Sequence, residues 1–254
     1  MSAPQRFVAV AERNVAVKAL VRPGTAASRT QRLRDAGVII TEVDMNDIPA
    51  ITKSVTGATT VVSALQGLRG VILGVQGRLL EASVAAKVQR FIPSDYSLDF
   101  TKCDPGTNRN LDLRREFHAK LDASGIKWTM CLNDGTELCI FGSADQKFDY
   151  TTIPDTAAYT AAVAADSNPT PKFLRIAGSS VNAKDLAAIV TKVRGEQGEE
   201  DKVFPPWQGM QYLENMVSGK GKLDPIDNDR YPDLEWTTVE KGIIEADAEK
   251  NKSD

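Results

Sequence analysis

An arginine directly after an apolar run can grip a phosphate. In Leu20-Val21-Arg22-Pro23-Gly24-Thr25, Arg22 follows the run Val15-Ala16-Val17-Lys18-Ala19-Leu20-Val21. At the corresponding strand end of a dinucleotide fold, an acidic residue reads the ribose 2′-hydroxyl of NAD. An arginine accommodates the 2′-phosphate of NADP, because its planar guanidinium makes two bonds to phosphate oxygens. Thr25, Ser28 and Arg29 are near enough in sequence to add donors. The competing reading of Arg22 is a solvated arginine in a turn. A second strand end, Ser63-Ala64-Leu65-Gln66-Gly67, has small residues that let backbone groups approach a ligand. The following glycines, Gly67, Gly70, Gly74 and Gly77, do not fit G-x-G-x-x-G, and Val71-Ile72-Leu73 stands where a phosphate loop would turn. A glycine-weakened helix start is the better reading of that segment.

Other chemistries are narrowed by counting. The single histidine, His118, excludes multi-histidine metal sites. Of the five tyrosines, Tyr96, Tyr150, Tyr159, Tyr212 and Tyr231, none has a lysine four residues on. The Tyr-x-x-x-Lys catalysis of ordinary short-chain dehydrogenases is therefore excluded. The three cysteines, Cys103, Cys131 and Cys139, form no C-x-x-C, so they read as packed thiols in a reducing, cytoplasmic setting. A net charge of −3 over 254 residues gives no electrostatic footprint for nucleic acid or an anionic membrane. No run approaches the roughly 18 apolar residues of a membrane span, and the start lacks the features of a secretory signal.

The elements that must position these residues alternate. Strands are expected over residues 15–21, 38–43, 59–65, 89–92 and 127–132, with helices over 28–36, 47–55, 79–87 and 111–124 between them. Short loops between alternating strands and helices imply a parallel sheet covered on both faces, a doubly wound α/β fold. Ligands in such sheets bind beyond the carboxyl ends of the strands. Residues 6–13 read as helix. Farther on, a helix is expected over 154–165, a strand over 173–177 and a helix over 183–194. The chain is expected to divide into residues 1–150, a nucleotide-binding portion, residues 151–244, a small α/β substrate portion packed on it, and a frayed tail over 245–254.

Val88-Gln89-Arg90-Phe91-Ile92-Pro93-Ser94-Asp95-Tyr96 resembles a strand-end motif of the NmrA-like and isoflavone-reductase-like proteins, atypical short-chain dehydrogenase relatives. The turn at Val21 to Thr25 and the segments over 108–117, 206–216 and 222–238 add to the resemblance, which covers nearly the whole chain. It implies a Rossmann-like NADP-binding domain and a reductase acting on a small metabolite. It puts Arg22 at the 2′-phosphate, Ser63, Ala64 and Leu65 along the cofactor, and Pro93, Ser94 and Tyr96 near the nicotinamide. Asn133 would border the substrate pocket.

Departures from the family pattern matter as much. The family's first strand and glycine-rich loop have no counterpart before Val15, where no glycine occurs. The expected sheet therefore lacks a central strand between those at 15–21 and 59–65. The stretch between Arg194 and Phe204 also looks short. The family's proton-donating lysine corresponds to Arg114, whose guanidinium holds its proton too tightly to donate it. Arg114 could hold an oxyanion, Tyr96 is a candidate replacement donor, and His118, four residues after Arg114 on the same helical face, is another. A plain helix histidine is the competing reading of His118. Three functions stay open: an NADP-dependent reductase, a non-catalytic NADP-binding regulator or redox sensor with a protein partner, and an inactive truncated relative.

Overall fold

The computed structural model describes residues 15–132, 146–194, 219 and 221–250. The helix expected over 6–13, Asn133, Cys139 and the 206–216 motif lie outside the described residues. The chain folds as two compact units, each made of several segments of the sequence. Unit one comprises Met1–Asp95, Arg109–Cys131 and Thr156–Leu174, and unit two comprises Tyr96–Asn108, Leu132–Asp155 and Arg175–Asp254. One cut near residue 150 was the expectation from sequence.

Unit one is α/β with parallel strands. β1 (Lys18–Val21) runs parallel to β2 (Ile39–Glu42), with Lys18 opposite Ile39 and Val21 opposite Glu42. Between them lies α1 (Ala27–Asp35). Ala19, Leu33 and Val38 form a small core of their own, flanked by Val17, Ala36 and Ile40. After α2 (Ile48–Val55) the chain enters β3 (Thr60–Val62). The Asp47 carboxylate accepts from Ala50 N at 2.9 Å and caps α2, as the Asp-x-x pattern at a helix start requires.

β3 pairs in parallel with β4 (Arg90–Ile92), and β4 with β5 (Lys127–Trp128). Among the described residues, no strand joins β1 to β3. The described parallel strands form two separate sets, β1–β2 and β3–β4–β5. The strands are short and largely buried, and Val61 faces Phe91, which faces Trp128 across the ladder. Such β-branched and aromatic pairs suit a sheet covered on both sides.

Gly70–Val75 forms a π-helical turn that runs into α3 (Gln76–Ala85). The glycine-rich stretch is thus a helix start and not a phosphate loop. A Cβ on Gly67 would lie 2.6 Å from a Val71 methyl, so glycine is needed for the close approach of that turn. α4 (Arg109–Ser124) buries Leu111, Leu113, Phe117 and Leu121. The last three recur every four residues, the spacing of one helical face. Gly125, at φ +73°, ends the helix in a conformation that other residues adopt at a cost.

The strand expected over 127–132 is broken at Thr129. Thr129 N donates to Phe91 O at 3.1 Å, whereas Met130 N donates to Lys172 O at 2.9 Å. The chain therefore changes partner there, and β6 (Met130–Leu132) pairs with β8 (Phe173–Arg175).

Unit two holds β7 (Phe148–Tyr150) antiparallel to β9 (Ser179–Val181). α5 (Ile153–Ala165) begins in unit two, and its residues from Thr156 on belong to unit one. α6 (Ala183–Arg194) and α7 (Val239–Lys250) follow, joined by Lys192 Nζ to Glu240 Oε1 at 2.6 Å. The tail expected to fray from Glu245 continues α7 as helix to Lys250. The Asp155 carboxylate accepts from Thr237 N at 2.8 Å and Thr237 Oγ1 at 2.9 Å, fixing the segment that leads into α7.

Candidate functional site

The carboxyl ends of β3 and β4 are joined by one serine. Ser94, two residues past β4, donates from Oγ to Leu65 O at 2.6 Å. Its backbone N donates to Gln76 Oε1 at 2.9 Å. Gln76 opens α3 and is wholly buried. Ser63 N donates to Ile92 O at 2.8 Å, which continues the β3–β4 ladder past the strands proper. Ser63, Leu65, Pro93 and Ser94 are thus drawn together at one edge of the sheet, with Ala64 between two of them. Ser63 Oγ and Gln76 Nε2 are buried and have no protein hydrogen-bond partner. Buried polar atoms in that condition call for an explanation, and an absent bonding partner is one.

Asp95 follows directly. Its Oδ2 lies 2.6 Å from His118 Nε2, with the Asp95 side chain fully buried and that of His118 13% exposed. The Nε2–H tautomer of the imidazole donates in this bond, and the other accepts. His118 lies one turn after Arg114 on α4 and packs on Trp128 of β5, with ring centroids 4.6 Å apart and planes at 47°. The sheet and the helix therefore hold the imidazole from two sides. Arg114 is half-buried, and its Nη1 donates to Asn110 O at 3.0 Å. Tyr96 is also half-buried, and the chain passes from unit one to unit two between Asp95 and Tyr96.

Arg22 is exposed in the turn after β1. Thr25 folds back on it, donating to Arg22 O from N at 3.1 Å and from Oγ1 at 2.6 Å. Gly24 N donates to Glu42 Oε2 at 3.3 Å, which ties the turn to the end of β2. Ser28 and Arg29 are exposed on α1. Asn133 lies outside the described residues. Cys103 and Cys131 are buried thiols, with Cys103 Sγ 3.7 Å from Asp99 O.

Gln76 and the Asp95–His118 pairing were not singled out from sequence. Asp95 lies inside the Pro-Ser-Asp-Tyr motif, and a carboxylate beside a strand-end serine was the available signal. The pair is 23 residues apart, so only the fold brings it together.

Behind His118, Asp122 accepts from Trp128 Nε1 at 3.0 Å and pairs with Lys172. The Lys172 ammonium also lies 4.5 Å from the Trp128 ring centre. Bonding to Lys172 holds the Asp122 carboxyl below the ordinary aspartate range; burial opposes this, and the Trp128 indole N–H adds to it. A carboxyl with a depressed folded pKa contributes stability above its unfolded pKa of about 4, and loses it as pH falls through the folded value. Both side chains are about half exposed, so this contribution is at most about 0.5 kcal/mol. Lys172→Met is therefore expected to be slightly less stable than the parent at pH about 6, with the gap closing at pH about 2. Urea unfolding at the two pH values measures this. A gap that is the same at both would assign the effect to lost packing on Trp128.

Residues 6–131 match the model of the NmrA-like family. Over that stretch the chain is similar to the family. It is 26% identical to the isoflavone reductase of Cicer arietinum, over 88% of this chain and 83% of that protein. Its fold is similar to that of the leucoanthocyanidin reductase of Vitis vinifera in binary complex with NADPH. The TM-score is 0.80 at 21% identity, covering 95% of this chain and 94% of the other. It is also similar to AtPrR2 with NADP+ and (+)-pinoresinol, with a TM-score of 0.79 at 20% identity over 94% of both chains. Among the described residues, no helix is long and apolar enough to cross a membrane.

Proposed function

We propose that this chain is an NADP-dependent reductase of a small carbonyl-bearing metabolite. The supporting observation is the polar cluster at the ends of β3 and β4, where Ser94 bridges to Leu65 and Gln76 and Asp95 holds His118. In this reading NADPH supplies a hydride. Arg22 and Thr25 hold the 2′-phosphate, and the exposure of the Arg22 guanidinium supports that role. Ser63, Ala64 and Leu65 line the dinucleotide, and Pro93 and Ser94 flank the nicotinamide. The buried, unpartnered Ser63 Oγ and Gln76 Nε2 support polar contacts at that end. Tyr96 and Arg114 polarise the substrate, and Asn133 borders it. Residues 1–150 would carry the cofactor and residues 151–244 the substrate side. A glycine-rich cradle for the pyrophosphate is not found after β1, the first described strand, so no role is assigned there.

Arg114 favours a second reading, a dinucleotide-binding regulator without turnover. A guanidinium can bind an oxyanion but cannot release a proton at neutral pH. NADPH oxidation with a panel of aromatic aldehydes and ketones separates the two. Turnover supports the reductase, and binding without turnover by a folded protein supports the regulator.

Arg22→Ala tests the cofactor assignment common to both. Losing a two-bond phosphate grip is expected to weaken NADPH binding about tenfold or more, on the order of 1.4 kcal/mol, with NADH binding unchanged. Nicotinamide fluorescence titrations read both constants. Equal losses for the two cofactors would reject the assignment.

A further inference from the structure

We infer that Arg78 is a positioning residue of the nucleotide site, fixing the distance between its phosphate end and its nicotinamide end. The inference rests on the NADP reading above, in which one ligand reaches from Arg22, after β1, to Pro93 and Ser94, after β4. Among the described residues, the strands beneath those ends belong to separate sets, β1–β2 and β3–β4–β5. A ligand that spans two such supports gains affinity from both only when their spacing is held. No described strand pairing holds it, so helices and side chains must.

Arg78 stands in the first turn of α3 and crosses that division. Its Nε donates to Met45 O at 2.7 Å, and its Nη2 donates to Asn46 Oδ1 at 2.8 Å. Both acceptors lie in the turn between β2 and α2. Bonds within that turn let it move as a unit. Asp44 Oδ1 accepts from Asn46 N at 2.9 Å and from Asn46 Nδ2 at 3.0 Å, and Asp47 N donates to Asp44 O at 3.0 Å. A guanidinium offers its donors in a rigid planar fork, so its two bonds set both the distance and the orientation of what they grip.

Hydrogen bonds lead from this turn and from α3 to the two ends. Towards the phosphate end, Val43 N donates to Val21 O at 2.9 Å and Gly24 N to Glu42 Oε2 at 3.3 Å. The turn and Arg22 therefore share the end of the β1–β2 ladder. Towards the nicotinamide end, Gln76 lies two residues before Arg78 on α3 and accepts from Ser94 N at 2.9 Å. Helix α3 thus reaches both ends, through Arg78 and Gln76, with α2 packed alongside it. Lys18 Nζ donates to Ser54 O at 2.9 Å and ties β1 to α2 at the other end of the strand from Arg22. The Arg78 tie lies at the carboxyl ends, where such sheets bind their ligands.

Binding to the full chain tests this without turnover. NADPH spans both ends, whereas adenosine 2′,5′-bisphosphate carries only the adenosine and its 2′-phosphate. Arg78→Met keeps the aliphatic stem and removes the fork. It is expected to weaken NADPH about tenfold or more, with adenosine 2′,5′-bisphosphate kept within about threefold. Arg78→Lys, with a single ammonium, is expected to fall between Arg78→Met and the parent. Fluorescence reads the first ligand and calorimetry the second. Unchanged NADPH affinity, or equal losses for the two ligands, overturns the inference, because a residue that only stabilises the fold does not separate a ligand from its half. If Arg78→Met fails to fold, Asn46→Ala removes one of the two bonds from the other side. NADPH is then expected to lose about threefold more than adenosine 2′,5′-bisphosphate, and equal losses again overturn the inference.

A second measurement needs no nucleotide. In ¹⁵N-labelled Arg78→Met, the backbone order parameters of Asn46 and Asp47 are expected to fall from about 0.85 to about 0.6 or lower, with those of Ser63 and Ser94 unchanged. Unchanged values at Asn46 and Asp47 would show that Arg78 does not hold the turn. Should the parent bind neither ligand, the NADP reading fails and this inference falls with it. Should Arg78→Met bind NADPH as well as the parent does, the inference fails alone.

Discussion

Replacing Phe117 with alanine is expected to destabilise unit one by roughly 3–5 kcal/mol. Phe117 is wholly buried on α4, and its ring lies 6.3 Å from that of Phe91 at the centre of the β3–β4–β5 sheet. Truncation removes that contact and leaves a cavity between helix and sheet. Neighbouring Leu111, Leu113 and Leu121 are also buried and fixed by the helix, so they can fill little of it. His118 is the next residue, so the same change is expected to loosen its bond to Asp95. Urea unfolding measures the stability, and Phe117→Leu is expected to recover more than half of it. A loss below about 1 kcal/mol would mean that this contact does not hold the helix to the sheet.

The second large effect is expected in unit two. Asp99 has a fully buried side chain whose Oδ2 is 2.6 Å from Arg175 Nε, while Lys102 Nζ stands 3.7 Å away. Arg175→Met keeps most of the aliphatic stem and removes the charge. A buried carboxylate left without its main partner costs about 3–5 kcal/mol, and Lys102 limits the loss to the lower end of that range. The surrounding bonds carry the effect farther. Asp99 N donates to Gly221 O at 3.0 Å, and Lys102 Nζ donates to Lys222 O at 3.0 Å and to Asp224 O at 2.8 Å. The expected readout is a lower urea midpoint together with faster proteolysis near residues 221–227. The double variant Asp99→Leu with Arg175→Met is expected to recover stability, because it leaves no orphaned charge. Equal losses in the single and double variants would show that shape, not charge, sets the cost.

The alternation of strands and helices in unit one was legible because each element carries its own local signal. Asp47 announces α2 with a capping carboxylate, and Gly125 ends α4. The spacing of Leu113, Phe117 and Leu121 marks the buried face of α4. What stayed hidden depends on partners distant in sequence. The break at Thr129 arises because β5 pairs with β4 and β6 with β8, a switch no local pattern encodes. β7 and β9 were missed because each is three residues long, with the polar Asp149 buried in one and serines in the other. Asp149 belongs there because its Oδ2 accepts from Leu223 N at 3.2 Å. The residues from Glu245 to Lys250, read as tail, continue α7 as helix although Glu245, Ala246 and Ala248 are exposed.

The candidate site divides in the same way. Ser63, Leu65, Pro93 and Ser94 were read as strand-end residues, and the bond from Ser94 Oγ to Leu65 O draws the ends of β3 and β4 together. The role of Gln76 could not be read, because a glutamine at a helix start carries no local sign that it will accept from a serine backbone far along the chain. The bond between Asp95 and His118 was equally invisible. What could be read was that the chain's one imidazole shares a helical face with Arg114.

The turn bearing Arg22 rests on the β1–β2 pair, which has its own small cluster of Ala19, Leu33 and Val38. Two parallel strands alone are a weak platform, since a sheet gains independent stability only from more strands or from helix cover. Among the described residues this segment takes its cover from α1 through Leu33. Affinity at this corner is thus a sum of contact energy and local folding energy, and the second term can be tuned by residues that never touch the ligand.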